Sequence, residues 1–87
     1  MKFFVYLLRC NDKSLYCGYT NNLDKRLNEH NNSNKGAKYT KKKRPVYLAY
    51  FEEYKSKSEA LKREFEIKKL KKELKEKLVI GFAAKGT

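Results

Sequence analysis

The chain has 87 residues, of which 22 are Lys or Arg and 10 are Asp or Glu, so its formal net charge is +12. This length excludes two separate cores, and 40% hydrophobic residues exclude a disordered basic tail. The excess of positive charge favours a polyanionic partner, above all nucleic acid.

The apolar run at the start of the chain is too short for secretion or membrane insertion. It begins at Phe3 and ends before Arg9, whereas a secretory signal needs roughly 7–15 apolar residues. No segment approaches the ~20 apolar residues of a membrane-spanning helix. Cys10 and Cys17 lack the spacing of a zinc site, so we expect free thiols and a cytoplasmic location.

Three segments rich in aromatic and β-branched residues predict strands, namely 3–9, 15–20 and 46–51. Turn-forming residues at 11–14 join the first two strands into a hairpin. If the hairpin register places Tyr6 opposite Gly18, then Tyr6 and Tyr16 become diagonal neighbours on one face. Glycine leaves backbone room between two such rings.

The remaining segments predict helices and a basic loop. Asn21 or Asn22 caps a helix that runs to about residue 31, with Leu23 and Leu27 as its apolar stripe. A Lys-rich stretch over 33–44 has neither helical nor strand period.

Farther along the chain, the capping box of Ser56 and Glu59 opens a further helix, which we expect to break near Leu70. The order of elements predicts an α+β domain over residues 1–80. Its three-stranded, mainly antiparallel sheet is flanked by two or three helices, and residues 81–87 form a flexible tail.

Glu64 lies where a helical wheel expects an apolar residue. Counted at about 100° per residue from Ala60, Glu64 falls inside the arc that Ile67 also occupies. Its carboxylate could pair with Lys68, four residues on. It could also face a concave surface and hold a divalent cation, since Mg²⁺ needs few protein ligands beside water and phosphate. The residues alone leave both interpretations open.

Arg26 and His30 lie four residues apart on the first predicted helix, along the edge of its apolar stripe. They are either two ordinary surface side chains or a phosphate-binding fork next to a proton-transfer group. Spacing alone does not decide between these interpretations.

These residues form a pattern that resembles the GIY-YIG nuclease signature. The second half of that signature is matched by Tyr16, Gly18, Thr20, Arg26 and His30. Tyr6 stands where the first half belongs, with Phe4 in place of its glycine. The segment 58–64 is similar to the family's downstream helix, whose glutamate binds metal. The resemblance extends from residue 3 to about 70 and is to the small stand-alone bacterial members.

The resemblance implies a phosphodiester hydrolase with the catalytic residues Tyr6, Tyr16, Arg26, His30 and Glu64. Tyr6 would accept a proton from the attacking water or position that water, and Arg26 would stabilise charge on the phosphorane. Glu64 would hold one Mg²⁺ or Mn²⁺, while Tyr16 and His30 would orient the reacting groups and relay protons. A tyrosine base needs a pKa well below the ordinary value of about 10, so nearby cations would have to favour the phenolate.

A second set of candidates would bind the substrate. It consists of Gly18, Thr20, Lys38, Tyr39, Lys41, Lys42, Lys43 and Arg44. Lysine suits phosphate contacts, and an interleaved tyrosine can stack on a base. The alternative is a solvated loop kept open by its own charge. No base-reading element is visible, which predicts low sequence specificity.

The sequence therefore predicts a cytoplasmic, Mg²⁺- or Mn²⁺-dependent DNA endonuclease linked to DNA repair or recombination. DNA is favoured over RNA, and a protein partner would supply targeting. The main alternative is a non-catalytic, basic nucleic-acid-binding module. A basic amphipathic helix on anionic membranes is disfavoured, because we expect Leu61, Phe65 and Leu74 to cover the sheet.

Overall fold

The structure of the chain is a computed structural model that describes residues 1–33, 35 and 37–85. Its strands are β1 (Phe3–Arg9), β2 (Leu15–Thr20) and β3 (Tyr47–Tyr54). Its helices are α1 (Leu23–Asn32), α2 (Lys38–Lys41), α3 (Lys57–Lys68) and α4 (Lys72–Lys85). The predicted α+β class with an antiparallel three-stranded sheet is confirmed. No helix among the described residues is long and apolar enough to cross a lipid bilayer.

Strand β1 lies in the middle of the sheet and pairs antiparallel with β2 on one side and β3 on the other. Tyr6 lies opposite Gly18 of β2 and Phe51 of β3. This register is the one in which Tyr6 and Tyr16 become diagonal neighbours, and it leaves β2 as an edge strand.

Both faces of β1 are buried, because successive side chains of a strand point to opposite faces. The core cluster between the sheet and α3 consists of Val5, Leu7, Cys17, Ala60 and Ile67. The cluster on the α1 side consists of Tyr6, Leu8, Cys10 and Val46. Leu23 and Leu27 pack against this second cluster, as their spacing on α1 predicts. Both cysteines are buried free thiols.

Two elements differ from the sequence prediction. The Lys-rich stretch contains the short helix α2, and its Thr40 is fully buried. Strand β3 continues to Tyr54, although Glu52 lies within it. The strand accommodates this carboxylate because Arg63 of α3 lies 2.9 Å from it and the hydroxyl of Tyr54 donates to it.

The C-terminal part of the chain forms two helices, as predicted. Helix α3 ends at Lys68 and α4 begins at Lys72, so the expected break near Leu70 is confirmed. The sequence predicts a flexible tail over 81–87, but residues 81–85 belong to α4, which continues to Lys85. The ring of Phe82 packs on β3, and this contact explains why the segment belongs to the folded domain. The rest of that predicted tail, residues 86 and 87, lies outside the described residues.

The outer sides of α3 and α4 also differ from the prediction. Phe65 is 61% exposed, and Leu61 and Leu74 are exposed as well, so they do not cover the sheet. Ala60 and Ile67 supply that contact instead, and both are fully buried.

Candidate active site

A chain of hydrogen bonds connects Tyr6, His30 and Thr40 behind the surface of the α1 side. The Thr40 hydroxyl donates its single proton to the carbonyl of Ala37 at 3.0 Å, so its oxygen accepts from His30 Nδ1 at 2.8 Å. His30 Nε2 then carries no proton and accepts the Tyr6 hydroxyl at 2.9 Å. Both His30 and Thr40 are fully buried, so this neutral tautomer is fixed by its two partners.

Local capping holds the imidazole in place. Asn22 caps the start of α1 through a hydrogen bond to the backbone nitrogen of Lys25. At the other end, Arg44 donates to the carbonyl of His30 at 2.5 Å and to the carbonyl of Ser33. Arg44 was expected to contact substrate, but its guanidinium is engaged at the C-terminus of α1, where a cation is favoured.

The two signature tyrosines meet around His30 and Gly18. Tyr16 contacts the His30 ring edge-to-face, with centroids 5.2 Å apart. A Cβ at Gly18 would lie 2.5 Å from the Tyr6 oxygen and 3.2 Å from the Tyr16 ring. Gly18 therefore provides the space in which the Tyr6 ring lies against β2. The Tyr16 ring also stacks on Tyr39, with centroids 5.7 Å apart.

Arg26 lies one turn before His30 on α1 and brings a positive charge to the Tyr6 hydroxyl. Its Nη1 donates to the Glu29 carboxylate at 3.1 Å and to the carbonyl of Lys35 at 2.8 Å. These bonds hold the guanidinium in a fixed orientation while 27% of the side chain remains exposed. A fixed, partly exposed guanidinium is suited to phosphate.

Burial sets the protonation states of this cluster. It raises the pKa of Tyr6 to about 12, although Arg26 favours the phenolate. Burial and the charge of Arg26 lower the pKa of His30 to about 4. The lowering of the pKa that a free tyrosine base would need is therefore not supplied by Arg26, because desolvation exceeds its effect. At neutral pH a phenol faces a neutral imidazole.

Glu64 lies on α3, which packs on the face of the sheet opposite to α1. Its side chain is 16% exposed and its carboxylate lies 3.4 Å from Lys68, the pairing that the sequence offered as one interpretation. Its charge also reaches Tyr6, whose pKa it raises. The described residues contain no group of three or more metal-binding side chains. A lone carboxylate that already holds a cation fits a metal ion whose other ligands are water and phosphate.

The predicted substrate-binding residues have different surroundings. Lys38, Lys41 and Lys42 are exposed, as phosphate contacts require. Lys43 instead lies 3.7 Å above the Tyr39 ring and pairs with Asp12 at 2.9 Å. One face of Tyr39 is thereby covered, which leaves less ring for base stacking than the sequence suggested.

Motif spacing in the sequence identifies Thr20 as a site residue but does not identify Thr40. Thr20 belongs to the motif, and its hydroxyl oxygen accepts from the backbone nitrogen of Asn22 at 3.1 Å, which turns the chain from β2 into α1. Thr40 was not a sequence candidate, since nothing in a Lys-rich loop marks one threonine as a histidine partner. Only the packing of α2 against α1 identifies it.

Comparison with known proteins identifies the family. The model for the GIY-YIG catalytic domain matches residues 2–78. A UPF0213 protein of Staphylococcus epidermidis is 55% identical over 78 residues, which are 90% of this chain and 94% of that relative. A UPF0213 protein of Staphylococcus haemolyticus is 51% identical over the same shares of both chains.

Two solution NMR structures share the fold. That of a UPF0213 protein from Bacillus halodurans has a TM-score of 0.58 at 44% identity, covering 91% of this chain and 83% of that one. That of a protein from E. faecalis has a TM-score of 0.64 at 42% identity, covering 97% and 88%. With its sequence and its architecture matched over nearly their whole length, this chain belongs to the GIY-YIG catalytic domain family and is similar to the small UPF0213 proteins.

Proposed function

We propose that this protein is a Mg²⁺- or Mn²⁺-dependent DNA endonuclease of low sequence specificity, with a role in DNA repair or recombination. Its family indicates nuclease activity and nucleic-acid binding. The proposal rests above all on one observation, the Tyr6 hydroxyl bonded to a buried, unprotonated His30 nitrogen beside the Arg26 guanidinium. A proton acceptor and a phosphate-binding cation thus lie side by side.

The proton relay in this proposal follows from the two pKa values. Transfer from a phenol with a pKa of about 12 to an imidazole with a pKa of about 4 is unfavourable by itself. It becomes feasible when it is concerted with attack on phosphorus, because the bond that forms from the water oxygen to phosphorus makes the water strongly acidic. The Tyr6 oxygen then receives a water proton as its own proton moves to His30 Nε2. As the water oxygen bonds to phosphorus, the bond from phosphorus to the leaving sugar oxygen breaks, and that oxygen takes a proton from solvent. His30 Nε2 then returns its proton through Tyr6 to solvent.

Arg26 and Tyr16 have supporting roles in this scheme. The guanidinium, oriented by Glu29, binds a non-bridging phosphate oxygen and stabilises the charge that develops there. Tyr16 packs against the His30 ring and keeps it aimed at Tyr6. Such preorganised charge is worth about 10²–10³ in rate when a single donor is removed from comparable sites.

Glu64 is the residue that would hold the metal. The ion would replace the Lys68 ammonium, which lies 3.4 Å from the carboxylate. When bound, Mg²⁺ or Mn²⁺ supplies Lewis-acid neutralisation of the phosphate and leaving oxygens. The exposed lysines of the basic loop, Lys38, Lys41 and Lys42, would contact flanking phosphates.

The test is cleavage of labelled single-stranded, duplex and branched DNA by the purified chain with Mg²⁺, with Mn²⁺ and with EDTA. We expect metal-dependent cleavage that Glu64→Gln and Arg26→Lys reduce by at least about 100-fold. Binding in EDTA should remain within a few-fold of wild type. Glu73→Gln, which removes an exposed carboxylate from α4, is the matched control and should cleave like wild type.

Two results would contradict the proposal. Binding without cleavage on every substrate and with both metals would identify the alternative, a non-catalytic nucleic-acid-binding module. Cleavage that survives both substitutions would show that the reaction takes place elsewhere or in a contaminant.

A further inference from the structure

A shallow cleft of about 350 Å³ opens beside Arg26, at the end of the edge strand β2. Its walls are Phe3, Tyr19, Thr20, Asn21, Arg26 and Lys57. Of these residues, only Arg26 has a part in the reaction scheme above. The cleft therefore extends the site in a direction that the catalytic motif does not account for.

Two cations line this cleft. Arg26 comes from α1, on one face of the sheet, and Lys57 comes from the first turn of α3, on the other face. Lys57 is exposed. The Ser56 hydroxyl caps that first turn, since it accepts from the Glu59 backbone nitrogen and donates to the Glu59 carboxylate. Lys57 and Glu64 are seven positions apart on α3, which is about 10 Å along the axis. The cleft thus lies to one side of the catalytic carboxylate.

The remaining walls combine aromatic and polar groups. Phe3 and Tyr19 are half-buried and pack against the core on their inner sides, so that their rings are firmly held. Thr20 and the exposed Asn21 add hydrogen-bonding groups at the rim. Two cations, two fixed rings and polar side chains match the three parts of a nucleotide, which are phosphate, base and sugar.

Building on the proposed endonuclease function, we propose that this cleft holds one unpaired nucleotide next to the scissile phosphate. Of the two phosphates that flank it, the scissile one lies at Arg26 and the other contacts Lys57, while its base contacts Phe3 and Tyr19. A base inside a duplex is paired and stacked, and it must leave the stack to enter such a cleft. The preferred substrate is therefore single-stranded DNA or the unpaired segment of a branched molecule.

The experiment measures binding alone, in EDTA, by fluorescence anisotropy of a short labelled DNA strand. The matched probes are the same strand in a duplex and a strand of equal length with abasic sugar-phosphates. Tyr19→Leu should weaken binding of the base-bearing strand by at least about fivefold and leave the abasic strand unchanged. Lys57→Gln should weaken both single strands and reduce the salt slope by about 0.7.

Lys77→Gln is the control, since Lys77 is exposed on α4 beside β3, at the opposite edge of the sheet. It should leave binding of the base-bearing strand unchanged. Thermal denaturation checks that each variant is folded. If Tyr19→Leu is not folded, Phe3→Leu replaces it, with the same expected result.

The cleft proposal is overturned if Tyr19→Leu and Phe3→Leu bind the base-bearing strand like wild type. It is also overturned if Lys57→Gln and Lys77→Gln weaken every probe equally, because only overall charge would then act. No metal and no cleavage enter these measurements. A failure of the endonuclease proposal, seen as absent cleavage, is therefore distinguishable from a failure of the cleft.

Discussion

The candidate site leaves no room for a side chain at Gly18. A Cβ there would lie 2.5 Å from the Tyr6 oxygen, closer than real contacts allow, so Gly18→Ala must displace Tyr6 from His30. We expect a loss of about 1–3 kcal/mol in the free energy of unfolding and at least about tenfold lower cleavage.

Gly81 provides the matched control for this substitution. It lies in α4 with nothing within 4 Å of an added Cβ, and Gly81→Ala should stabilise by about 0.5–1 kcal/mol. Urea unfolding measures both changes. An unchanged Tyr6 site in Gly18→Ala, seen as wild-type stability and activity, would contradict this account of the glycine.

Thr40 decides which nitrogen of His30 carries the proton. In Thr40→Val the acceptor for Nδ1–H is lost, so a buried donor is left unsatisfied at a cost of about 1–3 kcal/mol. The proton can then move to Nε2, which no longer accepts from Tyr6. We expect at least about tenfold slower cleavage and restoration in Thr40→Ser.

Imidazole ¹⁵N chemical shifts report the tautomer of His30 directly, which a merely structural role of Thr40 would not change. The valine variant should show Nε2–H and the serine variant Nδ1–H. Wild-type shifts and activity in the valine variant would rule out this positioning role.

His30 also makes stability depend on pH. Burial lowers its pKa from 6.5 to about 4, with Arg26 and Arg44 adding to the shift and Glu29 opposing it. Between pH 6.5 and 4 the unfolded chain therefore binds more protons at this residue than the folded chain. The free energy of unfolding should fall as pH is lowered through that window.

His30→Gln cannot titrate, so its urea-unfolding free energy should fall less steeply than that of wild type over the same pH range. The difference in slope isolates His30 from the carboxylates, which titrate in both proteins. Parallel curves would mean that His30 is not held neutral in the folded state.

Among the elements, α4 extends into a segment that the sequence predicts to be a flexible tail. Phe82 contacts the rings of Tyr50 at 5.5 Å and Phe51 at 5.2 Å, so the supposed tail is part of the packed structure. Phe82→Ala should lower the free energy of unfolding by about 1–3 kcal/mol. Ile80→Ala, at a residue that is 66% exposed, should change it by less than about 0.5 kcal/mol.

Urea unfolding of the two variants side by side checks this prediction. Equal effects at both positions would mean that α4 does not dock on β3 through Phe82.

Element boundaries were predictable where the signal is local. The caps at Asn22 and Ser56 lie within three residues of the groups they bond, so spacing alone predicts the starts of α1 and α3. Helix α2 and the end of β3 were missed because distant partners stabilise them. Thr40 bonds His30, ten residues away, and Glu52 bonds Arg63, eleven away.

For the whole molecule, the net charge of +12 predicts binding to DNA that weakens steeply with salt. The logarithm of affinity for single strands should fall linearly with the logarithm of salt concentration, by about 0.7 per phosphate contact. Lys41→Gln and Lys42→Gln should each reduce that slope by about this amount, and Lys77→Gln should not. Anisotropy titrations from low to physiological salt measure it, and a flat response would contradict nucleic-acid binding.

The sequence by itself determined the family, the order of the elements and the identity of the matched residues, because motif spacing and capping are recorded within short stretches of chain. Only the tertiary structure decided their chemistry. Burial by residues far apart in the chain raises the pKa of Tyr6 and lowers that of His30. The same packing directs Arg44 to the end of α1 and brings Lys57 and Arg26 to one cleft. Desolvation and contact depend on what surrounds a group in space, which spacing along the chain does not contain.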